Sequence, residues 1–127
     1  MILPMTPDEA HLQRPARYWL GIDGGGTNCR AAVVGADGEL LGEGQAEAAN
    51  PIRVGLDAAV ANIKKSIHQA CDRAGISPAQ ITAACIGLAG VSQPRYHRQM
   101  LDALKKILPI PEITLETDAR VALAGAR

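Results

Sequence analysis

The sequence is poor in aromatic residues and has no excess of charge of either sign. Aromatic side chains make up 2% of the 127 residues, and phenylalanine is absent. Lysine and arginine together number 13, as do aspartate and glutamate, so the formal net charge is zero. A protein that binds a nucleic-acid backbone usually has a basic surplus, and stacking on bases needs aromatic side chains. Both absences argue against nucleic acid as the main ligand.

Long apolar runs and paired cysteines are missing as well. No apolar stretch approaches the ~20 residues that a membrane helix needs, and the N-terminus lacks the basic-then-apolar order of a signal peptide. Cys29, Cys71 and Cys85 are widely spaced, each in an apolar run, and none belongs to a C-x-x-C pair. We therefore expect a cytoplasmic protein with no membrane partner, whose cysteines are reduced and buried.

The composition is typical of a folded domain. Apolar residues make up 47% of the chain and charged residues 20%, and the length suits one compact domain. Residues 1–16 contain three prolines and no sustained periodicity, which predicts a flexible leader. Residues 17–127 are expected to form the domain itself.

The periodicity and turn signals of residues 17–127 predict three strands followed by alternating helices and strands. Three short apolar runs come first, and the hairpin signal Ala36-Asp37-Gly38 separates the second from the third. Helical spacing follows from about Val54 to Ala74, where Gly75 is typical of a C-cap. The remaining elements are strand, helix, strand and helix, at residues 81–90, 94–109, 112–117 and from 118 onward.

This order, βββαβαβα, predicts an α/β fold. We expect a three-stranded antiparallel meander extended by two parallel strands in one sheet, with helices on both faces. The order resembles the ribonuclease H-like arrangement of the actin, heat-shock chaperone and sugar kinase ATPases.

A run of glycines joins the first two strands. Glycine lets backbone N–H groups converge on a phosphate. A Walker loop needs a lysine that is absent here, and a dinucleotide loop needs a glycine in place of Cys29 and then a helix. We therefore predict a phosphate-binding hairpin, with Asp23 facing a Mg²⁺ ion; a plain glycine-rich hairpin is the alternative. The predicted phosphate-binding residues are Gly24, Gly25, Gly26, Thr27 and Asn28.

Several segments resemble the BadF/BadG/BcrA/BcrD ATPase family, which includes N-acetylglucosamine kinases. GIDGGGTNCRAAVV is similar to the first phosphate motif of that family, and EAANPIRVG to the segment before its first helix. IGLAGVSQP is similar to its central strand and following turn, and ETDARVALAGA to a later strand-to-helix junction. The resemblance covers residues 17–127. It implies ATP and Mg²⁺ as cofactors and an amino sugar such as N-acetylglucosamine as the phosphoryl acceptor.

The resemblance also implies roles for single residues. Asn50 and Gly90 would bind the sugar, and Asp118 would bind it and act as the catalytic base. Local sequence alone leaves other roles open. Asn50 before a proline is equally typical of a turn, and Asp118 is typical of a helix N-cap, which does not exclude catalysis.

The sequence leaves two other functions open, and it also leaves open how much of a full-length protein these residues represent. Another branch of the family activates 2-hydroxyacyl-CoA dehydratases with ATP and an iron–sulfur cluster, and a non-catalytic binding lobe is a third alternative. The resemblance implies a second lobe, which we expect to lie outside these 127 residues. We expect residues 17–127 to be an N-terminal lobe, inactive when isolated, of a full-length kinase that forms a homodimer.

Overall fold

The structure is a computed structural model, and it describes residues 17–117. The predicted leader at 1–16 and the helix predicted from Asp118 onward lie outside the described residues. The described elements are β1 (Tyr18–Gly24), β2 (Asn28–Gly35), β3 (Leu40–Glu47), a short helix α1 (Pro51–Val54), α2 (Leu56–Ala74), a 3₁₀ turn (Pro78–Gln80), β4 (Ile81–Leu88), α3 (Pro94–Ile107) and β5 (Glu112–Glu116).

The five strands form one sheet in the order β3-β2-β1-β4-β5. β2 pairs antiparallel with both β1 and β3, whereas β4 pairs in parallel with both β1 and β5. The predicted α/β fold, with a meander and two parallel strands, is confirmed. The carboxyl ends of β1, β4 and β5 meet at one edge, where Asp23 pairs with Gly87 and Gly87 with Glu116. Open α/β sheets bind ligands at such an edge.

One face of the sheet is apolar and covered. Ile22 lies opposite Ala31 on one side and Ile86 on the other, and all three are buried. Both long helices add to the same buried cluster, α2 through Ile63 and α3 through Leu104. The two helices therefore share this face. A helix on the opposite face would have to come from outside the described residues.

Helix α2 packs against β3 with almost no space between their backbones. A Cβ on Gly42 would lie 2.7 Å from the amide nitrogen of Ala74, and a Cβ on Gly44 would lie 2.7 Å from that of Ala70. Contacts below 3.0 Å are essentially never seen for real Cβ atoms. The backbone of α2 thus occupies the space that two strand side chains would need.

The end of α2 follows the sequence prediction. Gly75 has a φ of +75°, in the left-handed region that glycine adopts without strain. Its N–H donates to the Asp72 carbonyl, and the Ile76 N–H donates to the Cys71 carbonyl. These bonds satisfy carbonyls that the helix end would otherwise leave unpaired. No helix within residues 17–117 has the length and apolar character needed to cross a membrane.

Candidate functional site

The glycine run forms a tight turn between β1 and β2. The Gly25 N–H donates to the Asn28 carbonyl at 2.9 Å and closes the turn. Among the described residues, no backbone hydrogen bond uses the amides of Gly26 or Thr27. Gly26 is half-buried, while Thr27 and Asn28 are exposed. Gly26 and Thr27 are therefore the residues of this turn whose amides no described residue engages through its backbone.

Two hydrogen bonds tie the turn to the loops beside it. The Ala49 N–H donates to the Gly25 carbonyl at 3.1 Å, and the Ala89 N–H donates to the Gly24 carbonyl at 3.0 Å. Gly24 itself is buried, and a Cβ there would overlap Leu88 and lie 3.0 Å from the Ala49 Cβ. Gly24 thus serves packing, and the loops after β3 and β4 are both fixed to the turn.

Asn50 and Gly90, the two residues expected at the sugar, lie in contact. A Cβ on Gly90 would fall 2.8 Å from the Asn50 Cγ, and Gly90 has a φ of +84°. Glycine is therefore required there for space and for backbone conformation. The Asn50 Oδ1 accepts a hydrogen bond from the Ile52 N–H at 3.0 Å and caps α1. This turn role uses Oδ1, and no hydrogen bond to a residue within 17–117 uses the Nδ2 donors.

Asp23 lies on the face of the sheet opposite the helices. Its register partners are Arg30 of β2 and Gly87 of β4. Asp23 is half-buried and lines a surface cavity of about 300 Å³, together with Arg30 and Gln45. A carboxylate that reaches solvent beside the glycine turn fits Mg²⁺, an ion that keeps several water ligands and is bound by one or two carboxylates.

The sequence did not single out Arg53, which lies over the turn. Its Nη1 is 3.4 Å from the point that a Cβ on Gly26 would occupy. Arg53 is the third residue of the short helix α1, and it is exposed. The segment EAANPIRVG contained this arginine, but only the fold brings α1 over the turn.

The three thiols lie in regular elements and are held in their protonated form. Burial raises the pKa of Cys71 to about 11, with a smaller contribution from Asp72. Burial is also the main cause that raises the pKa of Cys29 and of Cys85. All three cysteines are free. Cys29 and Cys71 are buried and Cys85 is half-buried, so none of the three is an exposed side chain.

Asp118 lies outside the described residues, and β5 is the strand that precedes it. β5 ends at Glu116, at the sheet edge that also carries the glycine turn. The His97 Nε2 lies 2.8 Å from the Leu115 carbonyl and joins α3 to this end of β5. The chain therefore reaches the site edge immediately before Asp118.

Comparison with known proteins identifies the class to which this fold and site belong. The chain belongs to the BadF/BadG/BcrA/BcrD ATPase family, whose sequence model matches residues 20–127. The family resemblance predicted from the motifs is confirmed.

Two similar proteins are named as amino-sugar kinases. The glucosamine kinase GspK of Vibrio cholerae is 39% identical over 112 residues, which cover 86% of this chain and 36% of that protein. A protein of Chromobacterium violaceum, whose crystal structure was solved as a candidate N-acetylglucosamine kinase, is 25% identical with a TM-score of 0.64. That match covers 82% of this chain and 36% of the other. The chain thus spans 36% of the length of either relative.

Proposed function

We propose that this chain is the N-terminal lobe of an ATP-dependent amino-sugar kinase, with an acceptor such as glucosamine or N-acetylglucosamine. The observation that carries the proposal is the joining of three segments at one sheet edge. The carbonyls of Gly24 and Gly25 bind the loops that hold Gly90 and Asn50. A phosphate turn and a sugar-binding pair are thereby held side by side, as transfer between two ligands requires.

On the phosphate side, the lobe would act by positioning and by charge. Phosphoryl transfer needs a clamp on the phosphates, a metal ion and a group that deprotonates the attacking hydroxyl. The amides of Gly26 and Thr27 and the side chain of Asn28 would donate to phosphate oxygens, while Gly24 and Gly25 shape the turn. Asp23 would hold Mg²⁺ through water. That ion, when bound, neutralises charge on the phosphates.

On the acceptor side, Asn50 would donate from Nδ2 to the sugar, and Gly90, whose missing side chain leaves room for that of Asn50, would border the sugar. Asp118 would take the proton from the attacking sugar hydroxyl. The oxygen of that hydroxyl would bond to the γ-phosphorus as the bond between the γ-phosphorus and the ADP oxygen breaks. The products are a sugar phosphate and ADP.

A second lobe would supply the adenosine pocket, and the full-length protein would act in the cytoplasm as a homodimer.

The test is a coupled ADP-release assay on the protein with both lobes. Mg²⁺-ATP is supplied with a panel of amino sugars and hexoses. ADP release that depends on one amino sugar supports the proposal and names the substrate. Slow release that ignores every sugar but responds to an iron–sulfur cluster would replace it with the dehydratase activator. Absence of turnover would favour a binding lobe.

The position of the thiols favours the kinase over the activator. A cluster shared between two subunits needs cysteine thiolates at an exposed contact. Here Cys29 and Cys85 lie within strands, and burial raises the pKa of both. Neither position presents an exposed thiol, as a cluster at a surface contact would require.

Gly26→Ala is expected to keep the fold but to lower turnover at least tenfold. Gly26 does not have a positive φ, and among residues 17–117, apart from its chain neighbours, an added Cβ would meet only the Arg53 side chain, at 3.4 Å and beyond. The new methyl group would stand where a phosphate approaches the turn, and misplacement of about 1 Å can cost roughly 100-fold in rate. Steady-state ADP release and thermal unfolding are the measurements.

Gly24→Ala is the matched comparison for that variant. Its Cβ would overlap buried Leu88, so it is expected to cost about 1–3 kcal/mol of stability. If the Gly26→Ala variant released ADP at the wild-type rate, the turn would not bind phosphate.

Asp23→Asn is expected to raise the Mg²⁺ concentration needed for half-maximal turnover by roughly tenfold. The amide keeps the shape of the side chain but loses the charge that holds a hydrated divalent ion. The control is Glu43→Gln, the same change at an exposed residue that lines the same cavity. A Mg²⁺ response that stays the same in Asp23→Asn would remove Asp23 from the metal site.

A further inference from the structure

We infer that Arg53 is a phosphate-binding residue of this lobe, whose guanidinium contacts the γ-phosphoryl group as it leaves ATP. The inference rests on the proposed function and adds to it a fixed positive charge. Neither the motif nor the relatives' names assign a role to this residue.

The backbone fixes where Arg53 stands. The Ala49 N–H is bonded to the Gly25 carbonyl, so the chain leaves β3 in direct contact with the glycine turn. α1 begins at Pro51, two residues after Ala49. The Arg53 N–H donates to the Asn50 carbonyl at 3.1 Å. Gly90 packs against the Asn50 side chain. The start of α1 is therefore held by two contacts, through Ala49 to the glycine turn and through Asn50 to the loop after β4. Arg53 is therefore anchored to the turn within four residues.

The guanidinium borders the open side of the turn. From the point that a Cβ on Gly26 would take, the Arg53 Nη1 is 3.4 Å away and its Cδ 3.9 Å away. No other atom of the described residues lies within 4 Å of that point, apart from those of the adjacent residues. The Gly26 amide, which makes no backbone hydrogen bond there, and the Arg53 side chain thus line the same small space.

The chemistry of arginine suits that space. A guanidinium stays charged at every relevant pH and offers five N–H donors in a planar fork that matches phosphate oxygens. Hydrogen bonds of this kind are roughly twice as strong as neutral ones. Arg53 is exposed, so it meets a ligand without first losing a buried contact. Phosphoryl transfer spreads charge over the three equatorial oxygens, where a positioned cation lowers the barrier most.

The experiment uses the protein with both lobes and three variants: Arg53→Ala, Arg53→Lys and Arg98→Ala. Arg98 is exposed on α3, and its replacement removes the same charge elsewhere. We would measure kcat and KM for sugar-dependent ADP release, the Kd of ATP and of ADP by calorimetry, and thermal unfolding.

Arg53→Ala is expected to lower kcat roughly 10²–10³-fold, as loss of one preorganised donor does, with an unchanged unfolding temperature. It should weaken ATP binding more than ADP binding, because only ATP carries the γ-phosphate. Arg53→Lys should fall in between, since lysine supplies charge without the fork. Arg98→Ala should match wild type.

Three results would overturn the inference. The first is a kcat for Arg53→Ala within twofold of wild type. The second is an equal loss of ATP and ADP affinity. The third is a lowered unfolding temperature that Arg53→Lys restores together with full activity, which would make the residue structural. A wild-type protein with no sugar-dependent ADP release would instead contradict the proposed function, and the ATP and ADP affinities would still test Arg53.

Discussion

Replacing Gly44 by alanine is expected to destabilise the lobe by about 3 kcal/mol, at the upper end of the range for overpacked cores. Alanine in place of glycine normally stabilises by about 0.4–1 kcal/mol through the unfolded chain. Here a Cβ would lie 2.7 Å from the Ala70 nitrogen and 3.0 Å from the Ser66 carbonyl carbon. These contacts are backbone atoms of α2, which cannot rotate away, so the steric cost outweighs the gain.

Thermal or urea unfolding measures the effect, and Glu43→Ala is its neighbour control. Glu43 is exposed on the same strand, and its side chain faces away from the helix. Exposed substitutions of this kind usually change stability by less than about 0.5 kcal/mol. Equal unfolding midpoints for the two variants would mean that α2 can shift away from β3 at little cost.

Asp118→Ala is expected to lower sugar-dependent turnover by about 10²–10⁴-fold while ATP still binds, because general base catalysis is typically worth that much. The position of Asp118, two residues after β5 reaches the site edge at Glu116, motivates the prediction. ADP release and ATP calorimetry on the protein with both lobes are the measurements.

Asp118→Ser separates the two roles that the sequence leaves open. Serine is as good an N-cap as aspartate but is not a base at neutral pH. If Asp118 only caps a helix, the serine variant should keep wild-type turnover and the alanine variant should lose stability. If it is the base, both variants should be slow and bind ATP. Asp102→Ala, an exposed change on α3, controls for the loss of one negative charge.

Much of the fold could be predicted because its determinants are local. The Ala36–Gly38 hairpin signal, the Gly75 cap and the apolar run of β4 each depend on a few neighbouring residues. The grouping into an antiparallel meander and two parallel strands then followed from the alternation of elements. In the site, Asn50 and Gly90 came from motif resemblance, and the structure places them in contact.

The remaining features depend on distances that no local pattern encodes. Gly42 and Gly44 resemble ordinary strand glycines until α2 is packed on them. Gly25 closes the turn and Gly26 faces its open side, and this difference depends on the single hydrogen bond from the Gly25 N–H to the Asn28 carbonyl. Arg53 gains a neighbour only because the loop after β3 folds back onto the turn.

The two hydrogen bonds from the loops after β3 and β4 to the carbonyls of Gly24 and Gly25 also limit how this lobe can diverge in evolution. Asn50 and Gly90 stand one residue away from the two amides that make those bonds. A substitution that reshapes either loop would also disturb the turn beside it. If the protein has the proposed function, we therefore expect changes of acceptor preference to arise more easily elsewhere than at these two loops.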